Sequence, residues 1–227
     1  MGINEMDDNM DDLSVGVLAG GKSSRMGRDK VFLKIGEKTF IEHICEELSC
    51  FGELLISCRD PEKFSALGYA TVTDERDGFG PLEGIRQLIR HAACDDIFIC
   101  AVDMPFISKE LVEFLWKKKD PGSDCIAVVC HENDNVSTTE DGINPVKPGS
   151  DEPVCRVSGR SAEPLCAIYN KRVLSVIESM VEQGKGKVRD LFDNISLQTV
   201  LLDEGGFQER VIVNLNTYDE YMSLTEQ

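Results

Sequence analysis

The sequence is short of basic charge: 24 Lys and Arg stand against 41 Asp and Glu, for a formal net charge of −17. A duplex nucleic-acid binder needs a cationic face, so the composition argues against that class. No stretch approaches the roughly 18 uninterrupted apolar residues of a membrane helix, and no membrane association is expected. The start, MGINEMDDNMDDLS, holds five acids and no base, the reverse of a secretory leader, which predicts a cytoplasmic protein. No pair among the nine cysteines is spaced C-x-x-C, and the three histidines, His43, His91 and His131, match no metal spacing. Zinc-ribbon and disulfide-framework readings therefore lack support, and the thiols read as small reduced core residues.

What is present is a core-forming composition, 41% hydrophobic with 10 Phe, patterned as short β-rich runs alternating with amphipathic helical stretches. That pattern predicts an α/β protein, a three-layer αβα sandwich around a mainly parallel sheet. Strands are predicted at 15–19, 53–58, 70–73, 97–102, 125–130, 164–169, 197–202 and 211–214. Helices are predicted over 39–51, 61–67, 82–93, 108–118, 171–183 and 188–192, with a last one after Asn216. Residues 1–13 read as an acidic tail and 14–227 as one domain. The polar stretch 131–163, with three prolines and no periodicity, reads as a long surface loop expected to be mobile.

The densest chemistry lies in LAGGKSSRMGRDK, Leu18 to Lys30, directly after the first predicted strand. Gly16, Gly21, Lys22 and Ser23 satisfy the spacing of a Walker A loop, so a P-loop NTPase is a rival. Such a loop needs its strand to end near the first glycine, yet DDNMDDLSV before Gly16 is too acidic for a central strand. Gly16 is therefore predicted inside the strand. The other reading is an open phosphate cradle in which Gly20 and Gly21 let an anionic oxygen approach backbone N–H groups. Arg25 would fork onto phosphate and Lys30 would act as a point charge. Asp103 follows the apolar run IFICAV and precedes Met104-Pro105, which places its carboxylate at the carboxyl edge of the sheet, where open α/β sheets bind ligands. Ser108 is better placed than Asp103 to cap the next helix.

These thirteen residues resemble the signature of the molybdenum cofactor guanylyltransferases, within the wider α/β nucleotidyltransferase group of Rossmann-like fold. The resemblance continues in GPLEGI (80–85), CAVDMPFI (100–107) and NLNTYDEY (214–221), in that order along the chain. It implies that GMP is transferred from GTP to the terminal phosphate of molybdopterin, forming a guanine dinucleotide and releasing pyrophosphate. Residue by residue, it implies that Leu18, Ala19, Gly20 and Gly21 contact GTP, Lys30 its phosphates and Asp74 its nucleoside, and that Asp103 holds Mg²⁺. Arg25, Lys30 and Asp103 would carry the catalysis, and Gly80, Pro81, Asn214 and Asn216 would face the pterin. The related cytidylyltransferases tend to carry alanine at the position of Gly20, which tips the base choice toward guanine. Departures from the pattern are Ile56 where an asparagine can stand, Glu83 in place of alanine, and Tyr218 in place of proline.

Several alternatives stay open at this point: a cytidylyltransferase for the same pterin, a sugar- or polyol-phosphate nucleotidylyltransferase, or a non-catalytic nucleotide-binding partner of a molybdoenzyme. Molybdenum-insertion proteins or an acceptor molybdoenzyme are the protein partners the resemblance suggests. The acidic balance does not conflict with anionic substrates. Between Gly16 and Lys34 the chain carries Lys22, Arg25, Arg28, Lys30 and Lys34 against Asp29 alone, and the local field is what a substrate meets.

Overall fold

Strand β1 (Leu13–Leu18) is buried at every residue and lies inside a sheet ordered β10-β7-β9-β6-β1-β4-β5, between β6 and β4. The computed structural model describes residues 10–20, 30–130, 155–157, 160–215 and 220, with backbone alone at 30, 130, 155–157, 160 and 161. The strands are β4 (Glu53–Ser57), β5 (Ala70–Val72), β6 (Asp96–Ala101), β7 (Cys125–Cys130), β9 (Arg160–Asn170) and β10 (Leu197–Leu201), with β8 (Cys155–Val157) paired to β9. Lys34–Ile35 (β2) and Lys38–Thr39 (β3) form a separate two-stranded hairpin. All neighbours along the path run parallel except β9, which is antiparallel to both β6 and β7.

The period of two in β1 explains the layering. Leu13, Val15 and Val17 point into a cluster with Phe40, Ile41 and Ile44 of helix α1 (Phe40–Glu47) and Leu111, Val112 and Leu115 of α3 (Lys109–Lys118). Leu18, on the alternate face, joins Leu82, Ile85, Leu88 and Ile89 of α2 (Pro81–His91) with Ile177 and Val181 of α4 (Leu174–Glu182). A short helix α5 (Val188–Phe192) completes that layer. Two apolar faces on one sheet require a helical layer on each, which gives the αβα sandwich. Thr39 opens α1 with a capping box to Glu42, and Ser108, the cap predicted for α3, accepts from the Leu111 N–H.

Gly16 sits mid-strand, opposite Leu55 of β4 and Ile99 of β6. A β-carbon there would come within 2.8 Å of Leu88 Cδ1, so its missing side chain makes room for α2. The strand runs on to Leu18, and the P-loop alternative is overturned because a Walker A glycine must end the strand.

The structure moves several predicted boundaries. The acidic tail expected to reach residue 13 stops short of it: Met10–Asp12 form a 3₁₀ turn, Leu13 is buried, and the Gly52 N–H donates to the carbonyls of Met10 and Leu13. The loop expected over 131–163 is too long at its far end, since Cys155–Val157 and Arg160–Asn170 are paired strands. Ser161 and Arg160 disguise that strand as loop, but ladder hydrogen bonds do not depend on side-chain polarity. Residues 131–154 lie outside the described residues. Residues 211–214 do not form a strand: Glu209–Ile212 is a 3₁₀ turn, closed by the Val213 N–H on the Arg210 carbonyl. The helix predicted from 171 begins as a 3₁₀ turn, Lys171–Val173, and continues as α4. The helix predicted after Asn216 lies outside the described residues.

Candidate functional site at the carboxyl edge of the sheet

From β1 the chain moves outward to β4 and β5, then crosses back to β6 on the other side of β1. The boundary between β1 and β6 is thus the point where strand order reverses, the place where open α/β sheets leave a crevice at their carboxyl ends. Register aligns three strand ends there: Leu18 stands opposite both Ser57 of β4 and Ala101 of β6. The next residues out are Ala19 and Gly20, Cys58, and Val102 and Asp103.

Backbone hydrogen bonds hold these ends together. Ala19 N–H donates to the Ser57 carbonyl at 2.8 Å, Cys58 N–H to Val72 at 2.9 Å, and Val102 N–H to Leu18 at 3.1 Å. Among the described residues, a β-carbon at Gly20 would meet Ser57 O at 3.9 Å and Cys58 Cα at 4.0 Å, ordinary contact distances. The described neighbours do not require glycine there. Asp103 is half-buried, with the Met104 N–H turned back onto the Ala101 carbonyl at 3.1 Å. The carboxy-terminal segment docks on the same loop: Leu215, buried, donates its N–H to the Asp103 carbonyl at 2.9 Å, which brings the half-buried Asn214 beside it. Arg210 stacks 4.5 Å over the Phe106 ring.

Helix α2 covers the other side of this edge. Gly80 takes φ 54°, ψ −138°, a conformation that β-carbons disfavour, and Pro81 follows at the first helical position. Gly84 then presses on the strand ends: a β-carbon there would stand 2.5 Å from Leu18 Cδ2 and 3.0 Å from Ser57 Oγ.

Asp74 follows β5 by two residues in an exposed stretch. Crowding by nearby protein pushes its carboxyl above the ordinary range, Glu83 and Asp77 push the same way, and Arg59 opposes them. Glu83 and Arg86 are 0% and 3% exposed. Burial pushes the Glu83 carboxyl up, but hydrogen bonds from Arg86, Gln87 and the Glu75 N–H outweigh it and hold it below the ordinary range. Arg86 is held further above its ordinary value, first by Glu83.

Of the twelve residues singled out in the sequence, the structure brings Leu18, Ala19, Gly20, Asp74, Asp103, Gly80, Pro81 and Asn214 to one edge of the sheet or to the helix end and segment packed on it. Gly21, Arg25 and Asn216 lie outside the described residues, and Lys30 is described only as the start of a 3₁₀ turn, Lys30–Phe32. Sequence reasoning registered Glu83 as an oddity and missed Glu75, Arg86 and Gln87. The signal was there: Glu83, Arg86 and Gln87 are spaced i, i+3, i+4 in a helix otherwise apolar on that face. Among the described residues no three carboxylates, thiols or imidazoles converge as a metal cage, and no helix is long and apolar enough to cross a membrane.

The MobA-like NTP transferase domain family matches residues 15–200, which spans every strand of the central path from β1 to β10 except the ends of β1 and β10. The chain belongs to that family. Curated relatives extend the likeness to nearly the full length. The probable molybdenum cofactor guanylyltransferase of Clostridium perfringens (strain 13) is 31% identical, over 94% of this chain and 96% of the relative. That of Carboxydothermus hydrogenoformans is 29% identical, over 95% and 96%. Among solved structures, molybdopterin-guanine dinucleotide biosynthesis protein A from Archaeoglobus fulgidus superposes with a TM-score of 0.71 at 24% identity, covering 94% of this chain and 97% of that one. The family's Rossmann-like α/β nucleotidyltransferase fold is the architecture described above.

Proposed function

We propose that this nucleotidyltransferase is a molybdenum cofactor guanylyltransferase, which transfers GMP from GTP to the terminal phosphate of molybdopterin. The observation that carries the proposal is the coincidence of the glycine loop and the aspartate at one switch point: Gly20 follows β1 and Asp103 follows β6, each two residues beyond the paired ends Leu18 and Ala101. The names borne by full-length relatives point the same way.

In this reaction an oxygen of the molybdopterin phosphate attacks the α-phosphorus of GTP. The bond from that phosphorus to the bridging oxygen breaks, and pyrophosphate leaves with the electron pair. A phosphate monoester has a second pKa of about 6, so the attacking oxygen is already ionised at neutral pH and no general base is needed. The chain's task is alignment and charge neutralisation. Leu18, Ala19 and Gly20 offer a close approach for the nucleotide, and Gly21 is assigned to GTP binding with them. Asp74 accepts from the nucleoside. Arg25 and Lys30 neutralise the α-phosphate and the leaving group. Gly80, Pro81, Asn214 and Asn216 form the acceptor side.

Asp103 fits a Mg²⁺ ion, because Mg²⁺ is commonly held by one or two carboxylates together with substrate phosphates rather than by an all-protein cage. When bound, the ion would supply charge neutralisation across the phosphates. Incubating the protein with molybdopterin and GTP labelled at the α-phosphate tests the proposal: label should move into a pterin dinucleotide. Label found only in free GMP would reject guanylyl transfer.

A further inference from the structure

Beside Asp74, the buried Glu83, Arg86 and Gln87 of α2 meet Glu75, an exposed residue of the loop after β5. Glu83 Oε1 accepts from the Glu75 backbone N–H at 3.1 Å, from Arg86 Nη2 at 2.8 Å and from Gln87 Nε2 at 2.9 Å, while Oε2 accepts from Arg86 Nε at 2.8 Å. Arg86 Nη2 also donates to Glu75 Oε2 at 2.8 Å, and Arg90 Nη1 reaches the same oxygen at 3.1 Å. Residue 75 is thus gripped twice by α2, through its N–H and through its carboxylate. That N–H belongs to the peptide whose carbonyl is Asp74's, so the grip fixes the backbone from which the Asp74 side chain projects.

A buried ion pair is a poor source of stability, since apolar residues of the same volume commonly serve as well or better. The stretch from Thr73 to Gly78 is exposed and has no helix or strand of its own, so nothing regular holds Asp74. The same helix is seated on the nucleotide loop's strand, because Gly84 abuts Leu18 and Ser57. One rigid body therefore sets both edges of the nucleotide site.

We propose that Glu83 and Arg86, with Glu75, are positioning residues that fix Asp74 relative to the Leu18–Gly20 loop and thereby set affinity for the nucleoside part of GTP. The inference rests on Asp74 contacting the nucleoside, as read above.

The test replaces the pair without burying a lone charge, as Glu83→Met with Arg86→Met, and measures GTP and molybdopterin binding separately by calorimetry. Misplacement of a contact group by about an ångström weakens its interactions by an order of magnitude or more. GTP affinity should fall about tenfold while molybdopterin affinity holds; the melting temperature should drop by a few degrees, because the buried Gln87 amide loses its acceptor. In an Asp74→Ala background the same replacement should add nothing, because its route is gone. Should the paired variant fail to fold, Glu75→Ala, at an exposed side chain, should weaken GTP by about threefold with the same dependence on Asp74. Unchanged GTP affinity, equal loss for both substrates, or additive loss in the Asp74→Ala background would overturn the positioning role while leaving the site intact. Asp74→Ala without effect on GTP would instead reject the nucleoside contact, and the positioning role with it.

Discussion

The N–H of Leu215 donates to the carbonyl of Asp103 at 2.9 Å, so the loop proposed to hold the metal is braced by a segment more than a hundred residues away in sequence. Leu215 is 1% exposed and packs in the same cluster as Met104 and Ile107. Truncating it leaves a cavity under that loop. Leu215→Ala should lower stability by about 2–4 kcal/mol, read by urea denaturation, and should reduce kcat more than the affinity for GTP.

Asp103 itself is freed from capping duty, since Ser108 caps α3. Asp103→Ala should therefore abolish Mg²⁺-dependent turnover with little change in the melting temperature. Ser108→Ala should do the opposite, costing about 1 kcal/mol of stability while turnover persists. Lys30→Ala should lose rate through lost phosphate stabilisation, on the order of a hundredfold.

Two glycines at the site should behave differently. Alanine at 84 would collide with Leu18 and Ser57, so Gly84→Ala should destabilise by about 1–3 kcal/mol and weaken GTP as α2 is pushed off the strand ends. Alanine at 20 meets ordinary contacts among the described residues. Gly20→Ala should melt within a degree or two of the parent, or slightly above it, yet lose preference for GTP over CTP. Melting curves paired with competition between the two nucleotides separate the cases.

The raised Asp74 carboxyl gives a pH prediction. Protein crowding, Glu83 and Asp77 disfavour its charged form, and Arg59 only partly compensates. A carboxyl with a raised folded pKa binds its proton more tightly folded than unfolded. Its contribution to stability is therefore full below the unfolded value and is lost as pH rises through the folded one. At neutral pH the ionised group is a liability, so Asp74→Asn should raise the melting temperature at pH 7. That gain should shrink as the pH is lowered through the carboxylate range.

Much of this was legible in the sequence because the central strands are apolar runs with clear ends. IFICAV stops at Asp103 and Met104-Pro105, and Gly16 could be placed inside β1 from the polarity of what precedes Leu13. The β9 strand was half hidden, since Arg160 and Ser161 carry no strand signal and its start is set by pairing with Cys155–Val157. The Ile212 region looked like a strand by composition, but no neighbour strand exists there among the described residues, and local 3₁₀ bonds take over. The Glu83–Arg86 pair was the largest gap. A carboxylate in a Gly-Pro loop reads as solvent-facing until the tertiary fold shows that its helix is buried on nearly every side.

The most direct test of the account is pyrophosphate release by the purified protein with molybdopterin and each nucleoside triphosphate in turn, with and without Mg²⁺. The account predicts release that requires molybdopterin, Mg²⁺ and GTP together, with CTP and ATP far slower. Faster release with CTP, or release from GTP that is indifferent to molybdopterin, would contradict it.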